Sequence, residues 1–261
     1  MTKANVNGIE IDYQEYGEGD AIVFAHGAGG NLLSWWQQIP YFSHSYRCIT
    51  FSHRGFGHSP DIPGGPGASA FVEDLEALWD HLGIQSAHLV AQSMGGRTAL
   101  GFAAAHPDRT MSLVLADTTG GMDEPDVLAA LTEWREGHSS TREIGVRATA
   151  PGFGTRRPDL ANLYLQISRT NPPRPQTAGV MSGGPSGAVL SRMSVPTMFI
   201  VGEEDDLIPP HVIELASRHI ADSVVVRVPE AGHSVYFEQP EVFNFQVLRF
   251  IRHIQVRDEQ T

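Results

Sequence analysis

One serine in this 261-residue chain lies where a nucleophile could be built. Ser93 stands in VAQSMGGRTA (90–99), between an apolar run and a stretch with helical spacing. A strand, a sharp turn and a helix in succession expose a serine hydroxyl, provided that the residues two before and two after it are small. Gly95 meets this demand, and Ala91 adds only one methyl group. The pattern predicts a nucleophile at Ser93, with an ordinary strand-end serine as the alternative.

A serine hydroxyl is a weak nucleophile at neutral pH, so it needs a base and a group that orients the base. PEAGHSVYFEQP places His233 in a loop after one apolar run, and GEEDDLIPP places Asp205 and Asp206 after the preceding run. Both loops follow predicted strands, at the sheet edge where ligands bind. His233 is therefore the candidate base, and the two aspartates are candidate orienting acids. Asp117 ends an earlier run and is interpreted as a turn residue.

Acyl transfer also needs donors for the negative charge that develops on the carbonyl oxygen. The glycine-rich HGAGG (26–30) follows an apolar run, so its backbone N–H groups could face a cavity. We predict an oxyanion hole formed by the N–H groups of Ala28 and Met94, with His26 bracing the turn. Gly27 and Trp35 are further candidates for substrate contact, although Trp35 could equally pack in the core.

Short apolar runs alternate with helical patterns along the chain. Such runs are typical of strands buried on both faces of a parallel sheet. The predicted strands are AIVFAH (21–26), RCITFS (47–52), AHLVAQ (87–92), MSLVLAD (111–117), PTMFIVG (196–202) and SVVVRVP (223–229). Helices are predicted to begin near Phe71, Met94 and Pro240, and residues 1–17 alternate like a strand. The order indicates an α/β fold with a mostly parallel, doubly wound sheet flanked by helices.

The alternation stops between 118 and 195. Two stretches there have helical patterns, DVLAALTEWREGH and PDLANLYLQISRTN, and Pro/Gly-rich connections separate them. An insertion of this kind predicts a helical cap or lid. We therefore expect a core of residues 1–117 and 196–261 and a cap of residues 118–195. Apolar cap residues could line a pocket or pack on the sheet, and both readings stay open: Leu128, Leu131, Trp134, Leu163 and Leu165.

Composition excludes several classes of protein. Eighteen Lys and Arg against 30 Asp and Glu give a formal charge of −12, which argues against nucleic acid and anionic membranes as partners. The single cysteine, Cys48, permits no intrachain disulfide and is expected to be a buried, inert thiol. No cluster of His, Asp and Glu has metal-ligand spacing, so we expect no metal and no cofactor, and a small molecule as the substrate. No leader and no membrane span are recognised, which predicts a cytoplasmic location.

Five motifs in sequence order resemble those of the α/β-hydrolase-fold superfamily, from about Gly8 to Ile254. HGAGG resembles its HG-x-G turn, HRGFGHS its D-x-R-G-x-G-x-S loop, and AQSMGG its G-x-S-x-G nucleophile elbow. GEEDDLIP resembles its acid loop, and AGHSVYFEQP its histidine loop. Two positions depart from the pattern. Ala91 replaces the first glycine of the elbow, and Ser52 replaces the usual aspartate, which puts a structural contact of Arg54 in doubt.

The resemblance implies a capped serine hydrolase with the triad Ser93, Asp205 and His233, since the spacing after Gly202 favours Asp205 over Asp206. The implied reaction is cleavage of a small, largely apolar carboxylic ester, lactone or thioester through an acyl-enzyme on Ser93. One alternative is a C–C bond hydrolase or lyase that acts on a dienone or quinol with the same triad. Another is a ligand receptor of low turnover.

Overall fold

A computed structural model of the chain describes residues 2–138, 147–173 and 183–258. Within these ranges eight strands form one sheet in the order β1-β2-β4-β3-β5-β6-β7-β8. β1 and β2 pair in antiparallel fashion, as do β2 and β4, and every other neighbouring pair is parallel. The strands are β1 (Thr2–Val6), β2 (Ile9–Tyr16), β3 (Ala21–Ala25), β4 (Arg47–Phe51), β5 (Ala87–Gln92), β6 (Thr110–Ala116), β7 (Thr197–Gly202) and β8 (Val224–Val228).

Helices cover both faces of this sheet. They are α1 (Ile39–Phe42), α2 (Phe71–His81), α3 (Met94–Ala105), α4 (Pro125–Gly137), α5 (Phe153–Arg156), α6 (Pro158–Arg169), α7 (Gly187–Leu190), α8 (Pro210–Ser217), α9 (Val235–Glu238) and α10 (Pro240–Asp258). Single 3₁₀ turns occur at Leu32–Trp35, Gly67–Ala70 and Pro107–Arg109. The predicted α/β class is confirmed, and the six predicted strands are found with ends shifted by at most one residue.

The central strands are apolar throughout because both of their faces are covered. Val23 and Leu89 belong to one core cluster, packed with α2, α3 and α8, whereas Ile22 and Val90 belong to the other, packed with α10. Alternate side chains of a strand point to opposite faces, so a strand buried on both sides needs apolar residues at every position. Cys48 on β4 is buried, and burial raises the pKa of its thiol to about 12, as expected for an inert residue.

The N-terminal segment forms a hairpin of two strands, where the alternation alone had suggested one. Asn7 and Gly8 between them have φ angles of 47° and 77°. Asn-Gly is the preferred pair for a two-residue turn that needs positive φ at both positions, because asparagine tolerates it and glycine has no Cβ. The turn signal was present in the sequence and explains the difference.

The segment between β6 and β7 contains α4 to α7, and its described residues add only one isolated bridge, between Asp123 and Ser186. Its first helix, α4, packs on α8 beside the sheet. Leu131 is buried in the core, whereas Leu128, Leu163 and Leu165 are exposed. The division into core and cap stays a prediction. None of the described helices is both long and apolar enough to cross a lipid bilayer.

Candidate active site

The carboxyl end of β5 turns sharply into α3 at Ser93. Its φ and ψ angles are 49° and −115°, a conformation that non-glycine residues seldom adopt. The turn brings the start of α3 so close to β3 that a Cβ on Gly95 would overlap the carbonyl oxygen of Ala25. Ala91 is completely buried beside Ala25 and Leu115 on the neighbouring strands. The strain at Ser93 and the tight packing beside it are the features expected of a strand-turn-helix nucleophile.

Ser93, His233 and Asp205 form one chain of hydrogen bonds. Ser93 Oγ lies 2.9 Å from His233 Nε2, and His233 Nδ1 lies 2.8 Å from Asp205 Oδ2. Because a carboxylate can only accept, His233 carries its proton on Nδ1, and Nε2 accepts from the serine hydroxyl. The exposed fractions of the three residues are 9%, 6% and 3%, respectively. The arrangement can withdraw the hydroxyl proton of Ser93 as the oxygen attacks.

The two adjacent aspartates have different environments. Asp205 uses its second oxygen, Oδ1, to accept hydrogen bonds from the backbone N–H groups of Leu207 and Ile208. Asp206 forms an ion pair with Arg147, at 3.2 Å between Oδ1 and Nε. Asp206 is therefore engaged by a cation and is not the acid that orients the base. It binds the inserted segment, and only Asp205 reaches the histidine.

Asp117 is a third carboxylate close to these groups. It ends β6 with a φ angle of 51° and is completely buried. Its two oxygens accept hydrogen bonds from the backbone N–H groups of Gly202 and Val235. Burial and the nearby charge of Asp205 hold the pKa of Asp117 well above its usual range. Asp117 thus makes a turn, as the sequence indicated, and in addition connects the ends of the acid and histidine loops.

The charges around His233 favour its protonated form. Burial alone would lower the pKa of its imidazole, but the charge and hydrogen bond of Asp205, with the charges of Asp117 and Glu238, outweigh burial and raise it. Glu238 is a buried carboxyl that sequence reasoning missed as a functional candidate. Burial raises its pKa to about 7 although it accepts backbone hydrogen bonds from Ala150, Gly232 and Ser234.

The HGAGG loop lies directly beside the serine. A Cβ on Gly27 would stand 3.2 Å from Ser93 Cβ and would overlap the side chain of Gln92. Within the described ranges, the N–H groups of Ala28 and Met94 have no hydrogen-bond acceptor, so both remain available as donors. Trp35 is completely buried and packs against Phe24, Tyr236 and Phe243. This aromatic packing is enough to explain why Trp35 is buried, so no substrate contact is needed to account for it.

Three further side chains join the loops around the serine, and none had a recognisable sequence signal. Gln92 donates from Nε2 to the His233 carbonyl oxygen at 2.6 Å. The hydroxyl oxygen of Tyr164 on α6 lies 3.1 Å from Ser234 Oγ and close to Gly29. Asn171, just beyond α6, donates to the carbonyl oxygens of Gly29 and Gly30. The end of α6 is thereby held against the oxyanion loop.

The loop that follows β4 is structural. Arg54 forms two hydrogen bonds with buried Asp74, at 2.6 and 2.7 Å, so it retains an acidic partner although Ser52 replaces the usual aspartate. Ser52 Oγ instead accepts from the backbone N–H of Leu32. Arg97 donates to the carbonyl oxygen of Ala68. Arg54 is thus a structural ion-pair partner, and the departure at Ser52 does not remove its acidic contact.

One cluster with metal-binding residue types was not predicted from the sequence. Glu124, Asp126 and His219 place possible ligand atoms within 4.8 Å of one another, on segments distant in sequence. His219 Nε2 lies 3.0 Å from Asp126, and its Nδ1 lies 3.4 Å from Glu124. Both ring nitrogens are thus engaged by the carboxylates. The cluster joins the start of α4 to the turn before β8.

Known proteins resemble this chain along nearly all of its length. It is 28% identical to 3-oxoadipate enol-lactonase 2 of Acinetobacter baylyi, over 92% of each chain. It is 27% identical to the putative non-heme bromoperoxidase BpoC of Mycobacterium tuberculosis, over 95% of this chain and 99% of the relative. A solved thermophilic esterase from Thermogutta terrifontis superposes with a TM-score of 0.82 at 28% identity, over 97% and 98% of the two chains. The names of these three relatives describe different reactions.

The family model described as "alpha/beta hydrolase fold" matches residues 20–240. This range begins before β3 and ends at the first residue of α10, so it contains the parallel strands and the loops that carry Ser93, Asp205 and His233. The sheet order and helices on both faces agree with that match. The chain belongs to the α/β-hydrolase fold family.

Proposed function

We propose that the protein is a serine hydrolase that cleaves a small, largely apolar carboxylic ester, lactone or thioester through an acyl-enzyme on Ser93. The observation that carries the proposal is the unbroken hydrogen-bonded chain from Ser93 through His233 to Asp205, in one buried site. The names of an enol-lactonase and an esterase among its relatives support an acyl-transfer reaction on the same fold.

In the first half-reaction, Ser93 Oγ forms a bond to the substrate carbonyl carbon while its proton passes to His233 Nε2. The carbonyl electron pair moves to oxygen, where the N–H groups of Ala28 and Met94 would stabilise it. When that pair returns, the bond to the leaving group breaks. His233 then gives its proton to the departing oxygen or sulfur, and Asp205 holds the imidazolium through Nδ1–H.

Water completes the second half-reaction by the same steps. It attacks the acyl-enzyme carbon and loses a proton to His233, and the proton returns to Ser93 Oγ as the carboxylic acid is released. The chemistry therefore takes place at Ser93 and His233, with Asp205 orienting the base.

The test replaces the nucleophile. Ser93→Ala should lower kcat for a nitrophenyl ester by at least ~10³-fold while the circular dichroism spectrum stays that of the parent chain. A fluorophosphonate probe should label Ser93 in the parent and no residue in the variant. Turnover by the variant at the parent rate would overturn the proposal.

A substrate panel distinguishes the reaction classes. Nitrophenyl esters of increasing acyl length are compared with one lactone, one thioester and one dienone. Turnover of the dienone without turnover of the esters would indicate C–C bond hydrolysis by the same residues. A burst of one equivalent of nitrophenol without a steady state would indicate a receptor of low turnover.

A further inference from the structure

Two buried histidines lie in contact behind the oxyanion loop, outside the proposed triad. His26 is completely buried, and His53 is 2% exposed. Their ring centroids are 4.6 Å apart, with the rings nearly perpendicular at 78°. His26 Nδ1 lies 2.8 Å from the carbonyl oxygen of Gly27, and His53 Nε2 lies 3.1 Å from Thr98 Oγ1. The pair therefore connects the end of β3, the end of β4 and α3.

The hydrogen bonds around His26 permit one tautomer of its ring. The backbone N–H of His53 donates to His26 Nε2 at 3.0 Å, and a backbone amide can only donate through its hydrogen. His26 Nε2 is therefore the unprotonated nitrogen. Its proton lies on Nδ1, which donates to the carbonyl oxygen of Gly27. His53 Nδ1, at 3.1 Å from the same Nε2, then carries a proton as well, and His53 Nε2 accepts from the Thr98 hydroxyl.

The Gly27 carbonyl group, which accepts from His26, belongs to the peptide unit that also contains the Ala28 N–H. A trans peptide is planar, so its carbonyl oxygen and its N–H point in opposite directions. The Gly27 oxygen accepts from His26 Nδ1 and also from the backbone N–H of Gly30 at 3.0 Å. The two bonds fix the rotation of the peptide plane. They hold the Ala28 N–H pointing away from His26, in a loop that contacts Ser93 through Gly27.

We propose that His26, held in its Nδ1–H tautomer by the backbone amide of His53, is the positioning residue for the Ala28 oxyanion donor. The inference rests on the proposed serine hydrolase function and deepens it. If the Gly27–Ala28 peptide rotated, its carbonyl oxygen would turn toward the site and its donor would be lost. Loss of one preorganised oxyanion donor costs roughly 10²- to 10³-fold in kcat.

Two substitutions at the same position separate positioning from packing. In His26→Asn the side-chain amide nitrogen falls near the place of Nδ1 and can still donate to Gly27. In His26→Gln the amide falls near the place of Nε2, so the contact with His53 survives and the donor to Gly27 is lost. We expect His26→Gln to lose at least ~30-fold in kcat for nitrophenyl acetate with little change in KM, and His26→Asn to stay within about threefold of the parent.

A second measurement reads the oxyanion hole directly. An alkyl trifluoromethyl ketone adds to a nucleophilic serine and places an oxyanion in the hole. The affinity of the ketone for His26→Gln should fall by the same factor as kcat, and its affinity for His26→Asn should equal that for the parent. Equal loss of kcat in both variants, in proportion to their melting temperatures, would overturn the inference and leave His26 a packing residue.

The parent protein provides a measurement that needs no variant to fold. Nitrogen chemical shifts distinguish the two imidazole tautomers, and both His26 and His53 should show a protonated Nδ1. A protonated Nε2 on His26 would overturn the inference. Failure of the proposed function has a separate signature, because Ser93→Ala would then keep its turnover whatever the result at His26.

Discussion

At the residue scale, two neighbouring carboxylates have opposite partners. Asp205 accepts from His233, while Asp206 accepts from Arg147 of the inserted segment. Consecutive side chains in a turn point in different directions, so a single loop can orient a base with one aspartate and bind a neighbouring segment with the next. Asp205→Asn and Asp206→Asn are therefore a matched pair.

Asp205→Asn should lower kcat on the order of 10²- to 10⁴-fold, because the amide favours the wrong imidazole tautomer and leaves the imidazolium without a counter-charge. Asp206→Asn should cost less than about tenfold, since its carboxylate contacts Arg147 and not the imidazole. Both variants are assayed at one pH on the same ester. If Asp206→Asn lost activity and Asp205→Asn did not, Asp206 would be the acid that orients His233. If both kept full activity, Asp117→Asn would be the next substitution to assay.

The pH dependence of turnover follows from the environment of His233. The residue must be neutral to accept the serine proton, so kcat/KM falls as pH drops through its pKa. Because Asp205 and the neighbouring carboxylates raise that pKa in spite of burial, the midpoint of the acid limb should lie above the ordinary imidazole pKa of 6.5. Ester hydrolysis measured from pH 5 to 9 gives the midpoint. A flat profile from about pH 5 to 8, with chemistry rate-limiting, would exclude His233 as the base.

At the element scale, the strand-turn-helix unit depends on small residues at its closest points. Ala91 is completely buried where the first glycine of the elbow was expected. Ala91→Gly should be tolerated, because it removes one methyl group. Ala91→Leu adds three carbons to a filled core, which costs about 1–3 kcal/mol or more, and should also displace Ser93. Urea unfolding and ester turnover measure the two effects. Full activity in Ala91→Leu would show that this packing is not required.

The elements were largely predictable, and the reason is visible in β3, β5 and β7. Each is buried at every position, so the sequence must be continuously apolar there. The same argument gives no information on the contacts of Asn171 or Tyr164. Their partners are backbone groups and hydroxyls on loops remote in sequence, and hydrogen bonds of this kind leave no periodic pattern.

Some residues of the site and its surroundings could likewise be predicted from the sequence, and others could not. Ser93, Asp205 and His233 follow strands, and the edge of a parallel sheet brings strand ends together, so their proximity could be foreseen. The cluster of Glu124, Asp126 and His219 could not, because two of its residues lie in the inserted segment. How that segment packs on the sheet depends on side-chain fit and not on strand order.

At the scale of the whole molecule, Glu238 makes stability depend on pH. Its pKa is 4.5 in the unfolded reference and about 7 in the folded protein, so folding favours the neutral carboxyl. A raised pKa contributes stability below pH 4.5, and that contribution is lost as pH rises through about 7. The difference corresponds to roughly 3 kcal/mol once the carboxyl is ionised. The raised pKa of Asp117 acts in the same direction.

Glu238→Gln tests this linkage. Glutamine does not titrate, so the free energy of unfolding of the variant relative to the parent should increase by about 2–3 kcal/mol between pH 4.5 and pH 8.5. A loss of stability from weaker hydrogen bonds to Ala150 and Gly232 would be the same at each pH. It therefore cancels when the difference at pH 4.5 is compared with the difference at pH 8.5. Glu241→Gln, which makes the same change at an exposed neighbour, is the matched control. A flat difference for Glu238→Gln would contradict the assignment.

The hydrogen bond from Ser93 to His233 joins positions 140 residues apart, whereas that from His233 to Asp205 spans 28. Closing a long loop costs chain entropy before its contacts form, and sheets assembled from remote strands fold slowly. Trp79 packs on Phe102 between α2 and α3, within the first half of the chain. After dilution from urea, tryptophan fluorescence from this region should recover before ester turnover does. The time at which turnover recovers would then report the last step of folding, in which the two halves of the chain come together.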